Sequence, residues 1–113
     1  MAYTNDYVRP RVGVSGFAAY IPPYRVSLSE WCKWRNENYQ KIREVVGSSF
    51  RVRGPNENAY TMAATAVNRL IKQYSIDPQR IGYLALGTES STDNSAGAII
   101  IKGMVNDALA SNG

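Results

Sequence analysis

Ile81-Gly82-Tyr83-Leu84-Ala85-Leu86-Gly87-Thr88-Glu89-Ser90-Ser91-Thr92-Asp93 decides how this chain folds. Its first half is apolar without interruption, the pattern of a strand covered on both faces, as strands of parallel sheets usually are. The run stops at a carboxylate set among small hydroxyl residues. Ligands of open parallel sheets bind outside the carboxyl ends of the strands, so Glu89 stands where chemistry is usually placed. A helix is expected directly afterwards, capped by Asn94 or Ser95, with Ala98, Ile99, Ile101, Lys102, Val105 and Leu109 along its body.

Working back from this stretch, Asp77-Pro78 separates it from the clearest helical period in the chain. Ala63, Ala66, Val67, Leu70, Ile71 and Tyr74 recur at the spacing of one helix face. The turn Gly54-Pro55-Asn56 precedes that helix, and Ser48 to Val52 is a short extended piece. Ser27-Leu28-Ser29-Glu30 has the form of a capping box and opens another helix, expected to run to Val46 with Gly47 as its stop. Arg11 to Ile21 is expected to be the first strand, ended by Pro22 and Pro23. The order is β-α-(short β)-α-β-α, a layered α/β unit. Residues 1–10 are expected to be an arm, and residues 11–113 part of one domain that is incomplete without further chain. Two long strands and one short one do not make a sheet broad enough to bury three helices.

Composition narrows the chemistry. The 113 residues contain one cysteine and no histidine. Neither a Ser-His-Asp nor a Cys-His arrangement can be completed within them, and no metal site of the common Cys/His kind is expected. Cys32 lies between Trp31 and Trp34 on a helix with no base beside it, so it reads as a packed residue and not a nucleophile. The two tryptophans themselves fit core or interface packing, or a stack on an adenine. The net charge of +4 is scattered along the chain, which fits solvated surface or an anionic small molecule better than nucleic acid. No apolar run reaches the length of a membrane span, the start Ala2-Tyr3-Thr4-Asn5-Asp6 lacks a signal peptide's pattern, and a cytoplasmic setting is expected.

Two features carry alternative readings. Glu89 is placed either as a general base held at a strand end or as a loop carboxylate that caps the next helix. Arg51 and Arg53 either grip a ligand phosphate or protect an exposed strand edge with charge. Asp93 reads as a helix N-terminal charge.

Several of these residues carry a resemblance. Val12-Gly13-Val14-Ser15-Gly16-Phe17-Ala18-Ala19-Tyr20-Ile21-Pro22-Pro23-Tyr24-Arg25-Val26 is similar to the opening strand of 3-hydroxy-3-methylglutaryl-CoA synthases, where a similar start leads to a Tyr-x-Pro element. Asn58-Ala59-Tyr60-Thr61-Met62-Ala63-Ala64-Thr65-Ala66 resembles a helix of that family. Ile81-Gly82, followed by Gly87-Thr88-Glu89-Ser90 and Asp93, resembles the strand ending in its catalytic glutamate. The resemblance implies the opening portion of a thiolase-like fold and a condensation of an acetyl group with an acetoacetyl thioester. In that family a cysteine carries the acetyl group, a glutamate removes a proton from it, and a histidine helps hold the acceptor. Only the glutamate maps onto this chain, at Glu89, so a second chain or a continuation is expected to supply the cysteine and histidine. The substrates implied are coenzyme A or acyl-carrier-protein thioesters, with no further cofactor. An oligomer is expected, and neither nucleic acid nor membrane is a partner. Family members usually carry a Gly-Leu-Gly-Gln-like turn where this chain has Val46-Gly47-Ser48-Ser49-Phe50. Two alternatives stay open: a ketoacyl synthase III-like condensing enzyme, and a non-catalytic thiolase-fold subunit paired with an active relative.

Overall fold

The computed structural model of the chain describes residues 10–90 and 96–111. Its two longest elements form a helix pair. The helix expected after Gly54-Pro55-Asn56 forms as α3, Ala59–Tyr74, and the one expected after the central stretch forms as α4, Gly97–Ser111. A reciprocal cap starts α3: the Thr61 amide donates to Asn58 Oδ1 and the Asn58 amide donates to Thr61 Oγ1, both at 2.9 Å. Two of the four orphan donors at the helix start are thereby satisfied. Ser75 ends α3 in the left-handed region at φ 50°, and the Ile76 amide returns to the Ile71 carbonyl at 3.0 Å. A 3-10 turn at Pro78–Arg80 follows, fixed by Asp77, whose Oδ1 accepts from the Gln79 amide.

Between α3 and α4 lies the core. Tyr60, Ala64 and Ile71 from one helix meet Ile101 and Val105 from the other, and all five are buried. Each large aliphatic side chain removed from water in this way contributes about 1.5–3 kcal/mol. Leu84 and Leu86 pack against this cluster from the stretch between the helices.

That stretch departs from expectation. Residues 81–88 are extended, but they form no ladder among the described residues, and Arg11 to Ile21 likewise forms no strand. Leu84 and Leu86 pack on the helix pair while Ile81 and Tyr83 are exposed, so among the described residues only one face of the stretch is covered. A strand's backbone bonds come from a neighbouring strand, and among the described residues no such neighbour stands beside either segment. The first segment is instead tied down at points. Arg69 Nη1 donates to the Ala19 carbonyl at 3.0 Å, and the Arg69 guanidinium lies 5.1 Å from the Tyr20 ring centre.

The only ladder among the described residues is an antiparallel ribbon, not a parallel sheet. It pairs β1, Tyr24–Ser27, with β2, Ser49–Val52, in the register Tyr24↔Val52, Arg25↔Arg51, Val26↔Phe50 and Ser27↔Ser49. The single helix expected from Ser27 to Val46 is two helices, α1 at Leu28–Arg35 and α2 at Tyr39–Val46. The break is made by Asn36 at φ 57°, with the Glu37 amide returning to the Cys32 carbonyl at 2.9 Å, and Asn38 then caps α2. Asparagine tolerates the left-handed region better than most residues, which is why the chain stops here. Ser27 precedes α1 but makes no side-chain cap bond, so the expected capping box is absent. Against the ribbon, α1 buries Leu28 and Cys32 and sets the Trp31 ring edge-on to Phe50 at 5.9 Å. Trp34 is exposed and carries the Arg35 guanidinium over its ring.

The radius of gyration is 20.3 Å. A compact domain of about 100 residues has about 13 Å, so these elements are spread over far more space than a self-sufficient core needs.

Candidate functional site

Glu89 lies in a bend at the end of the extended stretch and is exposed. Two contacts hold its surroundings. Leu86, three residues earlier, is packed on the helix pair, and the Ser90 amide donates to Thr88 Oγ1 at 3.1 Å, closing a small turn across Glu89. The bend is therefore anchored on the core side while the carboxylate is presented to solvent. The described residues leave this carboxylate in solvent, although the apolar run predicts a strand covered on both faces. The first candidate cap, Asn94, and with it Ser95 and Asp93, lie outside the described residues.

Ser90 lines an open cleft of 1020 Å³. Its other walls come from β2 and the turn before α3, including Arg51, Arg53 and Asn56, and from Met62 and Met104 on the helix pair. The structure thus brings both sequence-predicted arginines to the cleft that the residue after Glu89 borders. Glu89 itself is not among the residues lining it. Arg51 Nη1 reaches the carbonyls of Pro22 and Pro23 at 3.5 and 3.4 Å, and Arg53 Nη1 donates to the Glu57 carbonyl at 2.7 Å. Cys32, buried in α1, does not line the cleft.

A second gap, of 210 Å³, lies between α3, α4 and residues 81–84. Val67, Ile71, Leu84 and Val105 make it largely apolar, and it adjoins the core and not the arginines. No group of described acidic, cysteine or histidine residues is placed to hold a metal ion. Among the described residues no helix is long and apolar enough to cross a membrane.

Sequence reasoning missed Glu57. Its Oε2 accepts from the Gly54 amide at 2.5 Å and its Oε1 accepts from the Tyr20 hydroxyl, so it ties the first segment to the turn that forms the cleft wall. Thirty-seven positions separate Tyr20 from Glu57, and no local spacing signals such a pair. The cap at Asn58 also went unread, although Asn-x-x-Thr before an apolar helix is a signal that could have found it.

An apolar stretch laid on a helix pair, with a carboxylate at its end, is the opening portion of a thiolase-like α/β fold. That class is borne out by the solved structure of MvaS in complex with 3-hydroxy-3-methylglutaryl coenzyme A. It matches 85% of this chain at 34% identity with a TM-score of 0.72, and the match covers 23% of that chain. The family described as hydroxymethylglutaryl-coenzyme A synthase N terminal matches residues 9–108, and the chain belongs to it. Among individual relatives, the hydroxymethylglutaryl-CoA synthase of Pyrobaculum neutrophilum is 36% identical over 81 residues, 71% of this chain and 23% of the relative. That of Saccharomyces cerevisiae is 36% identical over 89 residues, 77% of this chain and 18% of the relative. The chain therefore spans less than a quarter of the length of these proteins.

Proposed function

We propose that this chain is the N-terminal part of a hydroxymethylglutaryl-CoA synthase-like acyltransferase and contributes its general base, Glu89. The base removes a proton from the methyl group of an acetyl thioester. The enolate carbon then attacks the ketone carbon of an acetoacetyl thioester, the resulting alkoxide takes up a proton, and water cleaves the thioester to the cysteine, releasing the product as a carboxylate and returning the thiol. An acetyl thioester is a weak carbon acid, so the reaction needs a carboxylate held in place and donors that stabilise the enolate oxygen. The observation that carries the reading is the anchored bend: Leu86 on the core and the Thr88–Ser90 turn fix the backbone on either side of Glu89, beside a cleft lined by Arg51 and Arg53.

The cysteine that carries the acetyl group and the histidine that holds the acceptor come from polypeptide other than these residues, a continuation or a second chain. Arg51 and Arg53 face the anionic end of the thioester. Coenzyme A is favoured as the carrier because the matched MvaS structure holds a coenzyme A thioester. The assembled protein works in the cytoplasm as an oligomer.

The test is to purify the chain with every polypeptide that accompanies it. Intact masses are then measured, and the preparation is supplied with acetyl-CoA and acetoacetyl-CoA. Formation of 3-hydroxy-3-methylglutaryl-CoA by a preparation containing a cysteine- and histidine-bearing partner or continuation is the expected result. A complete assembly that forms no carbon–carbon bond would leave the second reading, a thiolase-fold subunit without catalysis, which the exposure of Glu89 favours.

A further inference from the structure

The turn at residues 54–57 joins β2 to α3, and Pro55, Asn56 and Glu57 line the cleft together with Arg53 and Asn58 on either side. Both backbone groups of the buried Gly54 are taken up by Glu57: the Glu57 amide donates to the Gly54 carbonyl at 3.1 Å, and the Gly54 amide donates to Glu57 Oε2 at 2.5 Å. A Cβ on Gly54 would stand 3.1 Å from that oxygen, so the missing side chain lets the carboxylate lie against the backbone. Arg53 Nη1 spans the same turn, donating to the carbonyls of Gly54 and Glu57 at 3.4 and 2.7 Å. The other carboxylate oxygen, Oε1, reaches out of the turn and accepts from the Tyr20 hydroxyl. Tyr20 is itself held by α3, since the Arg69 guanidinium lies over its ring and donates to the Ala19 carbonyl. A continuous line of contacts thus runs from the body of α3 through Arg69, Tyr20 and Glu57 to the cleft wall. Bonds to a charged acceptor are stronger than neutral ones, and a buried Gly54 amide left without its partner would carry the full cost of desolvation.

We propose that Glu57 is a positioning residue for the condensation, with Tyr20 as its partner: the carboxylate fixes the wall at residues 53–58 in the shape that receives the thioester before the ligand arrives. This rests on the reading of the cleft as a thioester site. A wall set in advance spares the cost of ordering it on binding. Glu57 touches no reacting atom, so what it contributes is shared by the bound substrate and the transition state. Its loss therefore raises KM and leaves kcat in place.

The experiment compares the parent protein, purified with its accompanying polypeptides, with Glu57→Ala, Glu57→Gln, Tyr20→Phe and the double variant Tyr20→Phe/Glu57→Ala. KM and kcat are measured with acetyl-CoA and acetoacetyl-CoA, binding of acetoacetyl-CoA is titrated directly, and each melting temperature is recorded. Glu57→Ala is expected to raise KM for acetoacetyl-CoA about tenfold, the effect of losing one charge-assisted bond, with kcat held within about threefold. Glutamine at this position can accept from the Gly54 amide and donate to the Tyr20 hydroxyl, so Glu57→Gln should recover most of the loss. Tyr20→Phe keeps the ring under Arg69 and should raise KM by less than Glu57→Ala. The double variant should do no worse than Glu57→Ala alone, because Tyr20 acts through that carboxylate. Should Glu57→Ala not fold, Tyr20→Phe decides: a raised KM with kcat kept upholds the role, and a parental KM overturns it. A parental KM in Glu57→Ala, in a preparation that turns over, overturns the proposal and leaves the thioester reading standing. A lowered kcat and melting temperature at unchanged KM would make Glu57 structural only and also overturns it. If the parent binds acetoacetyl-CoA without condensing it, the condensation reading falls, and a tenfold loss in Kd upholds the role of Glu57 while an equal Kd overturns it. A parent that binds no acetoacetyl-CoA ends the thioester reading and the proposal with it.

Discussion

Gly97 lies beneath Leu86 so closely that a Cβ built on it would stand 2.5 Å from Leu86 Cδ2 and 2.9 Å from Tyr60 Cε1. The first residue of α4 and the last apolar residue before Glu89 are thus in contact across the core. Only a residue without a side chain lets the end of the extended stretch settle onto the helix pair.

Gly97→Ala should therefore destabilise the protein by about 1–3 kcal/mol, the usual cost of overpacking. Alanine's better helix propensity offsets up to about 1 kcal/mol of this and does not reverse it, because Gly97 is at the helix end where propensity counts least. The urea midpoint of the assembled protein reads the effect. A midpoint equal to or above that of the parent would show that Leu86 and Tyr60 move aside without cost.

Glu89→Gln keeps the shape of the side chain and removes its basicity. Condensation in the assembled enzyme should fall by about 100- to 10,000-fold, the range for loss of a general base. Acetylation of the cysteine should persist, since that step does not use this carboxylate. Following the two steps separately, by mass of the acyl-enzyme and by product formation, distinguishes the role. Near-parental condensation would reduce Glu89 to a loop carboxylate.

Cys32 is 3% exposed and packed in α1. A thiol so placed reacts with reagents only when the helix opens, so labelling of the native protein should be slow and should accelerate on adding denaturant. Cys32→Ala should cost about 1 kcal/mol through the lost contacts of one small group and leave acyl transfer within a few-fold. Loss of the acyl-enzyme in this variant would make Cys32 the nucleophile after all.

Val12, Val14 and Tyr83 are 94, 90 and 86% exposed, on segments whose backbones have no ladder partner among the described residues. Unpaired extended backbone flanked by apolar side chains is a template for association. The isolated 113-residue chain should therefore self-associate or bind a hydrophobic dye, as light scattering and fluorescence will show. A monomeric preparation with a sharp two-state melt would contradict this.

The sequence by itself determined the helical parts and the chemistry that is missing. An α-helix draws its hydrogen bonds from residues four positions away, so the period of Ala63, Val67, Leu70 and Ile71 was sufficient to place α3. The lack of histidine, and Glu89 at the end of an apolar run, were equally plain in the chain. A strand's partners lie anywhere in the polypeptide. The same apolar pattern that predicted two long strands therefore could not say that 11–21 and 81–86 have no ladder partner among the described residues, while Tyr24–Ser27 pairs with Ser49–Val52. Only the tertiary structure decided that Arg25 faces Arg51, that Tyr20 reaches Glu57, and that Gly97 admits Leu86. Each of these joins residues too distant in sequence for any local spacing to register, and each is set by which surfaces the helix pair and the ribbon bring together.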